Sequence, residues 1–274
     1  MFMGLTIFAM FTGTVSAFMV ERLRAEGRIV NWEQLEDHVI ICGWNSKAEI
    51  IVREFRAFQT ANDMPIAVIA QFDGEPPVVS SDVQRHVQFL NDDFTRVAAL
   101  EQAGVHRAKT CIIMVDTSGG RSEQDADART ILAALTVEKL NPAVYTCAEL
   151  MNRSYASHLQ MGRVNDFVVS GEYGAYLLAQ AAMNGGLMEV FSELLTYQHG
   201  NEFYRMALPL EWQGKTFMEL FVDLKQTHNA VLVAVHTESG EMIVNPPEHI
   251  FASGDEVVVI AEHEISLWRQ QSMR

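Results

Sequence analysis

The feature of this sequence that most constrains its fold is the alternation of short β-branched runs with helical patterns over its first 170 residues. Strands are predicted at 38–42, 65–70, 86–90, 110–115, 143–148 and 164–169. Helical patterns lie between them, at 47–58, 94–102, 122–140 and 153–161. Short apolar strands separated by helices indicate a parallel sheet that is covered on both faces. The prediction is an α/β fold with a doubly wound parallel sheet.

The turn after the first predicted strand has the outline of a nucleotide site. Gly43 ends the strand, and Trp44, Asn45 and Ser46 lead into a helical pattern. A helix N-terminus at this place in a Rossmann-like fold offers N–H groups and a positive dipole end to an anion. Gly43 fills the first position of G-x-G-x-x-G, but Asn45 and Ala48 stand at the second and third, and an asparagine limits how closely a pyrophosphate approaches the backbone. The turn therefore predicts either a nucleotide site or a plain corner of the fold.

The sequence pattern changes after residue 170, where strands no longer alternate with helices. Two helices rich in Ala, Leu and Met are predicted at 170–183 and 187–197, broken at Asn184-Gly185-Gly186. They follow a completed sheet, so their apolar faces are expected to pack against another subunit, although packing against their own sheet is the alternative. Short strands at 203–208, 230–236, 241–244 and 256–260, with a helix at 215–226, then predict a small α+β C-terminal lobe.

The first 20 residues contain no charged residue, and the apolar run stops at Glu21-Arg22-Leu23-Arg24. About 20 apolar residues are what one helix needs to cross a bilayer, and basic residues favour the cytoplasmic side. The expectation is the end of a membrane helix that leads into a cytoplasmic domain of a cell (inner) membrane protein. A buried core helix is the alternative.

Composition and missing motifs exclude several classes of protein. The formal net charge of −15 argues against nucleic acid as a partner, because phosphates call for a basic face. Three cysteines inside apolar runs suit a reducing cytosol better than a disulfide scaffold. The nine histidines show no H-E-x-x-H spacing and there is no G-x-S-x-G elbow, so the chain is predicted not to be an enzyme.

Several motifs occur in an order that is characteristic of one family. An apolar segment that ends in VERL at 20–23 is followed by HVIICGW at 38–44, FLNDDFTR at 89–96, AGV at 103–105, IIMVD at 112–116, IVNPP at 243–247 and FASGDE at 251–256. In this order the chain resembles the RCK (regulator of potassium conductance, TrkA-N/TrkA-C) cytoplasmic domain of prokaryotic ligand-gated potassium channels. The likeness covers nearly the whole chain.

The resemblance implies a division into five parts. These are the end of a pore-lining transmembrane helix (1–24), a linker (25–36), an N-terminal Rossmann-like lobe (37–169), helix–turn–helix crossover helices that form a dimer interface (170–199) and a TrkA-C lobe (200–274). It further implies dimers that assemble into a gating ring of eight under a potassium channel pore, which conducts the potassium ion. The implied function is a ligand sensor that couples binding to pore opening. A regulatory subunit of a potassium uptake transporter and a soluble NAD-dependent oxidoreductase are the alternatives.

Nucleotide-binding residues follow from the resemblance. Gly43, Trp44, Asn45 and Ser46 would frame a phosphate of an adenine nucleotide such as ADP, ATP or NAD. The ribose would lie near Asp73, although in Asp73-Gly74 this aspartate is equally a plain turn residue. Finally, the adenine side would be bordered by Asp93 and Thr95.

A calcium site also follows from the resemblance. Asp116, after the fourth strand, and Glu149, at the end of the fifth, match carboxylates that hold Ca²⁺ in calcium-gated members of the family. Cys147 stands where a further carboxylate is expected, and a thiol is a poor ligand for a hard cation. Other acidic residues either supply a different arrangement or are solvated surface charges: Asp92, Asp125, Asp127 and Glu172.

Overall fold

A computed structural model describes residue 32 and residues 35–58, 64–84, 86–196 and 200–263. Among the helices of these ranges, none combines the length and the apolar character that a bilayer span requires. The predicted membrane helix at 1–24 lies outside the described residues and stays a prediction. The chain divides into two compact units, with a boundary after Ser170.

The first unit is built on a six-stranded sheet with the order β3-β2-β1-β4-β5-β6, in which every neighbouring pair is parallel. Its strands are β1 (Val39–Cys42), β2 (Ile66–Ala70), β3 (Val87–Asn91), β4 (Thr110–Ile113), β5 (Tyr145–Leu150) and β6 (Asp166–Val169). Helix α1 (Ala48–Phe58) begins in this unit, but its residues from Ile50 onward group with the second unit. The other helices of the first unit are α2 (Ser81–Gln84), α3 (Val97–Gln102), α4 (Glu123–Leu140) and α5 (Ala156–Met161). The strand order reverses between β1 and β4, so the carboxyl ends of these two strands form the switch point where doubly wound folds bind ligands. The predicted fold class is confirmed.

The central strands are buried because their sequences are apolar on both faces. Every residue of β1 and of β2 is buried, which fits strands covered by helices on both sides of a sheet. Each fully buried Ile or Val of these strands contributes about 1.5–3 kcal/mol by leaving water. The switch point therefore lies at the end of the fully buried strand β1.

Two predicted boundaries differ from the structure for local reasons. The helix predicted from residue 94 begins at Val97, because the Asp93 carboxylate accepts hydrogen bonds from the N–H and hydroxyl of Thr95 and holds that residue in a turn. The pattern at 153–161 divides into a 3-10 turn at Arg153–Tyr155 and the helix α5. The short helix α2 was not predicted from the sequence.

The second unit contains an antiparallel sheet with the order β7-β10-β8-β9. Its strands are β7 (Glu202–Ala207), β8 (Val231–His236), β9 (Met242–Val244) and β10 (Glu256–Ala261), and its helices are α6 (Ser170–Met183), α7 (Leu187–Leu195) and α8 (Phe217–His228). Helix α8 begins with a capping box between Thr216 and Glu219, and its buried leucines join the core of the sheet. The predicted α+β lobe is present.

Helices α6 and α7 present apolar side chains to solvent. Within the described residues of this chain, neither helix buries a single side chain. Large apolar groups are instead exposed along both helices: Tyr173, Tyr176, Leu178, Met183, Met188, Val190 and Leu195. Exposure of this kind is typical of surfaces that other chains cover.

Candidate functional site

The glycine turn packs directly against the chain that leaves β4. Gly43 has φ of +90°, a value that L side chains rarely adopt. A Cβ at this position would lie 3.3 Å from the carbonyl oxygen of Met114. Its N–H donates to the carbonyl of Ile69 at 2.8 Å. Glycine is therefore required here by the contact between two loops as well as by the turn itself.

Asn45, in the second position of the glycine pattern, fastens these loops together. Its Oδ1 accepts the N–H of Lys47 at 2.9 Å, and its Nδ2 donates to the carbonyl of Val115 at 3.1 Å. The side chain that departs from the glycine fingerprint thus bridges the crevice between β1 and β4. A glycine at this position would leave the crevice open.

Glu149 closes the same crevice from the β5 side. Its Oε2 accepts the N–H of Val115 at 3.2 Å, and its Oε1 forms an ion pair with Nζ of Lys47. The Glu149 side chain is 12% exposed, so most of this carboxylate is shielded from water. Both polar groups of the Val115 backbone are therefore bonded, one to Glu149 and the other to Asn45.

Asp116 is held by two arginines of the following segment. Its Oδ2 lies 3.0 Å from Nη1 of Arg121 and 3.7 Å from Nη2 of Arg129, while its Oδ1 accepts the N–H of Ser118 at 3.0 Å. Arg121 also donates through Nη2 to Oε1 of Gln71 at 3.2 Å. The Arg121 side chain thus spans from the loop after β4 to the loop after β2.

Asp93 and Thr95 form a second polar cluster at the end of β3. The Asp93 carboxylate accepts two bonds from the Arg129 guanidinium, at 2.8 and 3.2 Å, in addition to its two bonds from Thr95. Burial works to raise the pKa of Asp93, but the bonds from Arg129 and Thr95 outweigh it and lower the pKa. Arg129 also lies over the ring of Phe94, with its guanidinium carbon 5.0 Å from the ring centroid. Asp93 is therefore ionised at neutral pH and fixed in place.

Aromatic side chains line the neighbouring part of the edge. The ring of Trp44 meets that of Phe89 edge to face at 4.9 Å, and Phe72 meets Phe89 at 6.2 Å. The side chain of Asn91 bonds both the N–H and the carbonyl of Phe72, which fixes the loop after β2. Asp73, by contrast, is exposed beside Gly74, whose φ is +84°. The aromatic pairs were not predicted, although an aromatic on each of three successive segments was the available signal.

The predicted site residues therefore fall into distinct groups. The glycine turn, Asp116 and Glu149 meet at the carboxyl ends of β1, β4 and β5, and Asp93 with Thr95 joins them through Arg129. Ser46 and Asp73 are exposed. The carboxyl ends of β1, β4 and β5, with the glycine turn, Asp116 and Glu149, form the predicted ligand cleft. A separate open hollow of about 400 Å³ lies beside α4 and is lined by Thr95, Arg121, Asp125, Ala128, Arg129 and Leu132.

The predicted calcium ligands are bonded to cationic side chains. No cluster of three or more His, Cys, Asp or Glu side chains suited to a metal occurs in the part of the chain that the structure describes. Lys47 neutralises Glu149, and the two arginines neutralise Asp116. Burial, followed by the nearby Asp166, raises the pKa of the Cys147 thiol to about 11, so this group is protonated and a poor ligand.

Asp127 is a functionally placed residue that sequence reasoning missed. The interpretation as a solvated surface charge is wrong for it, because Asp127 is fully buried. Its carboxylate accepts the N–H groups of Met151 and Asn152 at 2.8 and 3.0 Å. It therefore holds the loop that follows Glu149. The sequence carried a weak signal, since the small residues Thr130 and Ala134 follow Asp127 at helical spacing on the buried face of α4.

Two family profiles match the chain. Residues 34–148 match the family described as the calcium-activated potassium channel slowpoke-like RCK domain. Residues 173–273 match the family described as Castor and Pollux, part of voltage-gated ion channel. The two matches fall on either side of Ser170.

Curated relatives and solved structures agree with these profiles. The calcium-gated potassium channel TvoK of Thermoplasma volcanium is 26% identical over 264 residues, which is 95% of this chain and 72% of the relative. The ion channel CASTOR of Lotus japonicus is 24% identical over 96% of this chain, which spans 32% of that protein. The human SLO3 gating ring shares the fold with a TM-score of 0.62 at 15% identity, over 82% of this chain and 44% of the solved one.

Proposed function

We propose that this chain, whose residues 34–148 match the profile of slowpoke-like RCK domains, is a ligand-sensing gating-ring domain of a potassium channel. The observation that carries the proposal is the alignment with TvoK, a calcium-gated potassium channel, over 95% of the chain. An alignment of this extent includes residues of both units. Catalysis has no part in this function.

The ligand class follows from the switch point and from the relative. The carboxyl ends of β1 and β4 are where doubly wound sheets take nucleotides, and the name of the relative points to Ca²⁺. An adenine nucleotide, Ca²⁺ or both would act by binding one shape of the domain more tightly than another, because a ligand bound equally to both shifts nothing.

The ion pairs at the cleft define how Ca²⁺ would compete for its ligands. Glu149 and Asp116 supply the hard oxygens that Ca²⁺ prefers, but Lys47 and Arg121 hold them. Calcium binding would therefore displace these cations and loosen the glycine turn from β4 and β5. Such a loosening gives the two shapes that a sensor needs.

Self-association completes the proposed function. The exposed apolar residues of α6 and α7 support a dimer interface, and dimers would assemble into a ring of eight beneath the pore. Residues 1–24 would be the end of a pore-lining helix and 25–36 the linker, which places residues 37–274 on the cytoplasmic side of the membrane. The ion conducted would be potassium.

A mass measurement combined with titration tests the proposal. The purified chain is examined by light scattering and then by calorimetry with Ca²⁺, ADP, ATP and NAD in turn. The expected result is an oligomer that binds at least one of these probes. A monomer that binds none of them would contradict the proposal.

A pair of substitutions tests the predicted calcium ligands. Glu149→Gln should abolish calcium binding, whereas Lys47→Gln should strengthen it by about tenfold, because the competing cation is removed. Lys109→Gln, an exposed lysine on the opposite side of β4, is the matched control and should change nothing. Equal calcium affinity in all three variants would remove Glu149 as a ligand.

A further inference from the structure

We propose that Arg107 is the coupling residue of this domain: it fastens the chain that enters β1 and passes movement of the ligand cleft to that chain. The inference rests on the proposed gating function and names the element through which gating would act. It arises from contacts at the end of the sheet opposite to the cleft.

Arg107 bonds to the entering chain at three points. Its Nε donates to the carbonyl of Leu35 at 3.0 Å, and its Nη2 donates to the carbonyl of Trp32 at 3.2 Å. Its own carbonyl accepts the N–H of Asp37 at 3.0 Å. Hydrogen bonds from a charged donor are roughly twice as strong as neutral ones. The Arg107 side chain thus holds the carbonyls of Trp32 and Leu35, and its backbone carbonyl holds Asp37.

The guanidinium is suited to this role and a lysine is not. Two carbonyls that lie three residues apart are reached by two nitrogens of a rigid, planar fork. The ammonium group of a lysine is a single point on a flexible stem, so it would serve one of these carbonyls at a time. Arg107 therefore acts as a positioning residue whose geometry matters as well as its charge.

The entering chain is also seated on the core beside Arg107. Leu35 is 6% exposed and belongs to the core cluster, and Trp32 packs against that cluster. His38 is fully buried, and its Nε2 lies 2.8 Å from the carbonyl of Ala103. Its own carbonyl accepts the N–H of Lys109 at 2.9 Å. The chain before β1 is thereby joined to the turn that leads into β4.

The strands β1 and β4 connect this fastening to the ligand cleft. They pair in register from Val39 opposite Thr110 to Cys42 opposite Ile113. Arg107 stands just before β4, while the glycine turn and Asp116 stand just beyond the other end of the pair. Four residues of strand span roughly 13 Å. Because every residue of β1 is buried and pairs with β4, we expect the two strands to shift together and to carry a movement of the cleft to Arg107.

Hydrogen exchange in the full chain tests whether Arg107 holds the entering chain. Arg107→Ala should speed amide exchange in the peptide that covers residues 35–37 by at least about tenfold and leave the strands β2 and β5 unchanged. Arg107→Lys should fall between Arg107→Ala and the wild type. Lys109→Ala removes a neighbouring exposed cation and is the control that should behave as wild type. Unchanged exchange at 35–37 in Arg107→Ala, with a normal melting curve, would overturn the proposal.

A comparison of binding with potassium flux tests the coupling, with Ca²⁺ as the probe. In liposomes that carry the complete channel, Arg107→Ala should keep calcium affinity within about twofold and reduce the calcium-dependent rise in flux by at least about fivefold. A wild-type response in Arg107→Ala would overturn the coupling role. If the wild-type channel itself shows no calcium-dependent flux, the proposed function fails, and the exchange result still decides whether Arg107 fastens the chain.

Discussion

Replacing Gly43 by alanine measures how tightly the glycine turn packs against β4. The chain offers a control in Gly74, because the two glycines have nearly the same φ, +90° and +84°. A Cβ at Gly74 would meet no atom within 4 Å, whereas a Cβ at Gly43 would approach the Met114 carbonyl to 3.3 Å. The two substitutions therefore differ in packing and not in backbone strain.

The expected cost follows from these two contributions. An L side chain in the left-handed region costs about 1–2 kcal/mol, and this applies to both positions. At Gly43 the Met114 carbonyl must also move, which disturbs the 3.2 Å bond from the Val115 N–H of the same peptide to Glu149 and adds about 1–2 kcal/mol. Gly43→Ala should thus lower the free energy of unfolding by about 2–4 kcal/mol, and Gly74→Ala by about 1–2 kcal/mol.

Urea unfolding followed by circular dichroism gives the comparison directly. With an m-value of roughly 3 kcal/mol per molar, the two variants should differ in midpoint by roughly 0.3–0.7 M at unchanged slope. Equal midpoints would show that the contact between the glycine turn and β4 contributes nothing to stability. The glycine would then be required by its own turn alone.

Three further predictions concern stability. Asp127→Ala should lower the free energy of unfolding by about 2–5 kcal/mol, because the N–H groups of Met151 and Asn152 lose their acceptor. Asp127→Asn keeps one oxygen and should cost less. Equal values for the two variants in chemical denaturation would contradict this role. Thr216→Ala removes the capping box of α8 and should cost about 0.5–2 kcal/mol by the same assay. Burial works to raise the pKa of Asp255, but bonds from the Ala252 N–H and the His249 ring outweigh it and hold the pKa below 3.8. The stabilisation that Asp255 provides is therefore complete well above pH 3.8 and is lost as the pH falls through the folded pKa. Asp255→Asn should flatten the acid limb of a curve of stability against pH. An unchanged acid limb would contradict this assignment.

The sequence predicted the helices and strands well, but it predicted few of the hydrogen-bond partners of the side chains. The strands fell within two residues of their predicted ends, because runs such as 39–42 and 66–70 are apolar on both faces and have only one stable environment. The start of α3 was misplaced because a single hydrogen-bonded turn at Asp93 decided it. The residues of such a turn are visible in the sequence, but nearby residues are equally acceptable as the start of the helix.

Long-range pairing explains the remaining differences. Nothing near Asn45 in the sequence indicates that its amide meets Val115, which is 70 residues away. In the same way, Thr130 and Ala134 at helical spacing from Asp127 indicate a packed helix face, but the acceptor role of Asp127 became apparent only once α4 lay beside the loop after β5. The residue types of the site were predictable, and the bonds between them were not, because those bonds depend on which strand edges the fold brings together.

In the ligand cleft, Asp116 and Glu149 are each paired with a cationic side chain, which an incoming cation would have to exchange. Both carboxylates already carry their own counter-ions, so a divalent cation that enters must replace Lys47 and Arg121 before it gains any bond. If Ca²⁺ binds here as proposed, the metal concentration at which the domain responds would be set by the strength of these two ion pairs. Substitution of Lys47 or Arg121 during evolution would change this threshold without changing the carboxylate ligands.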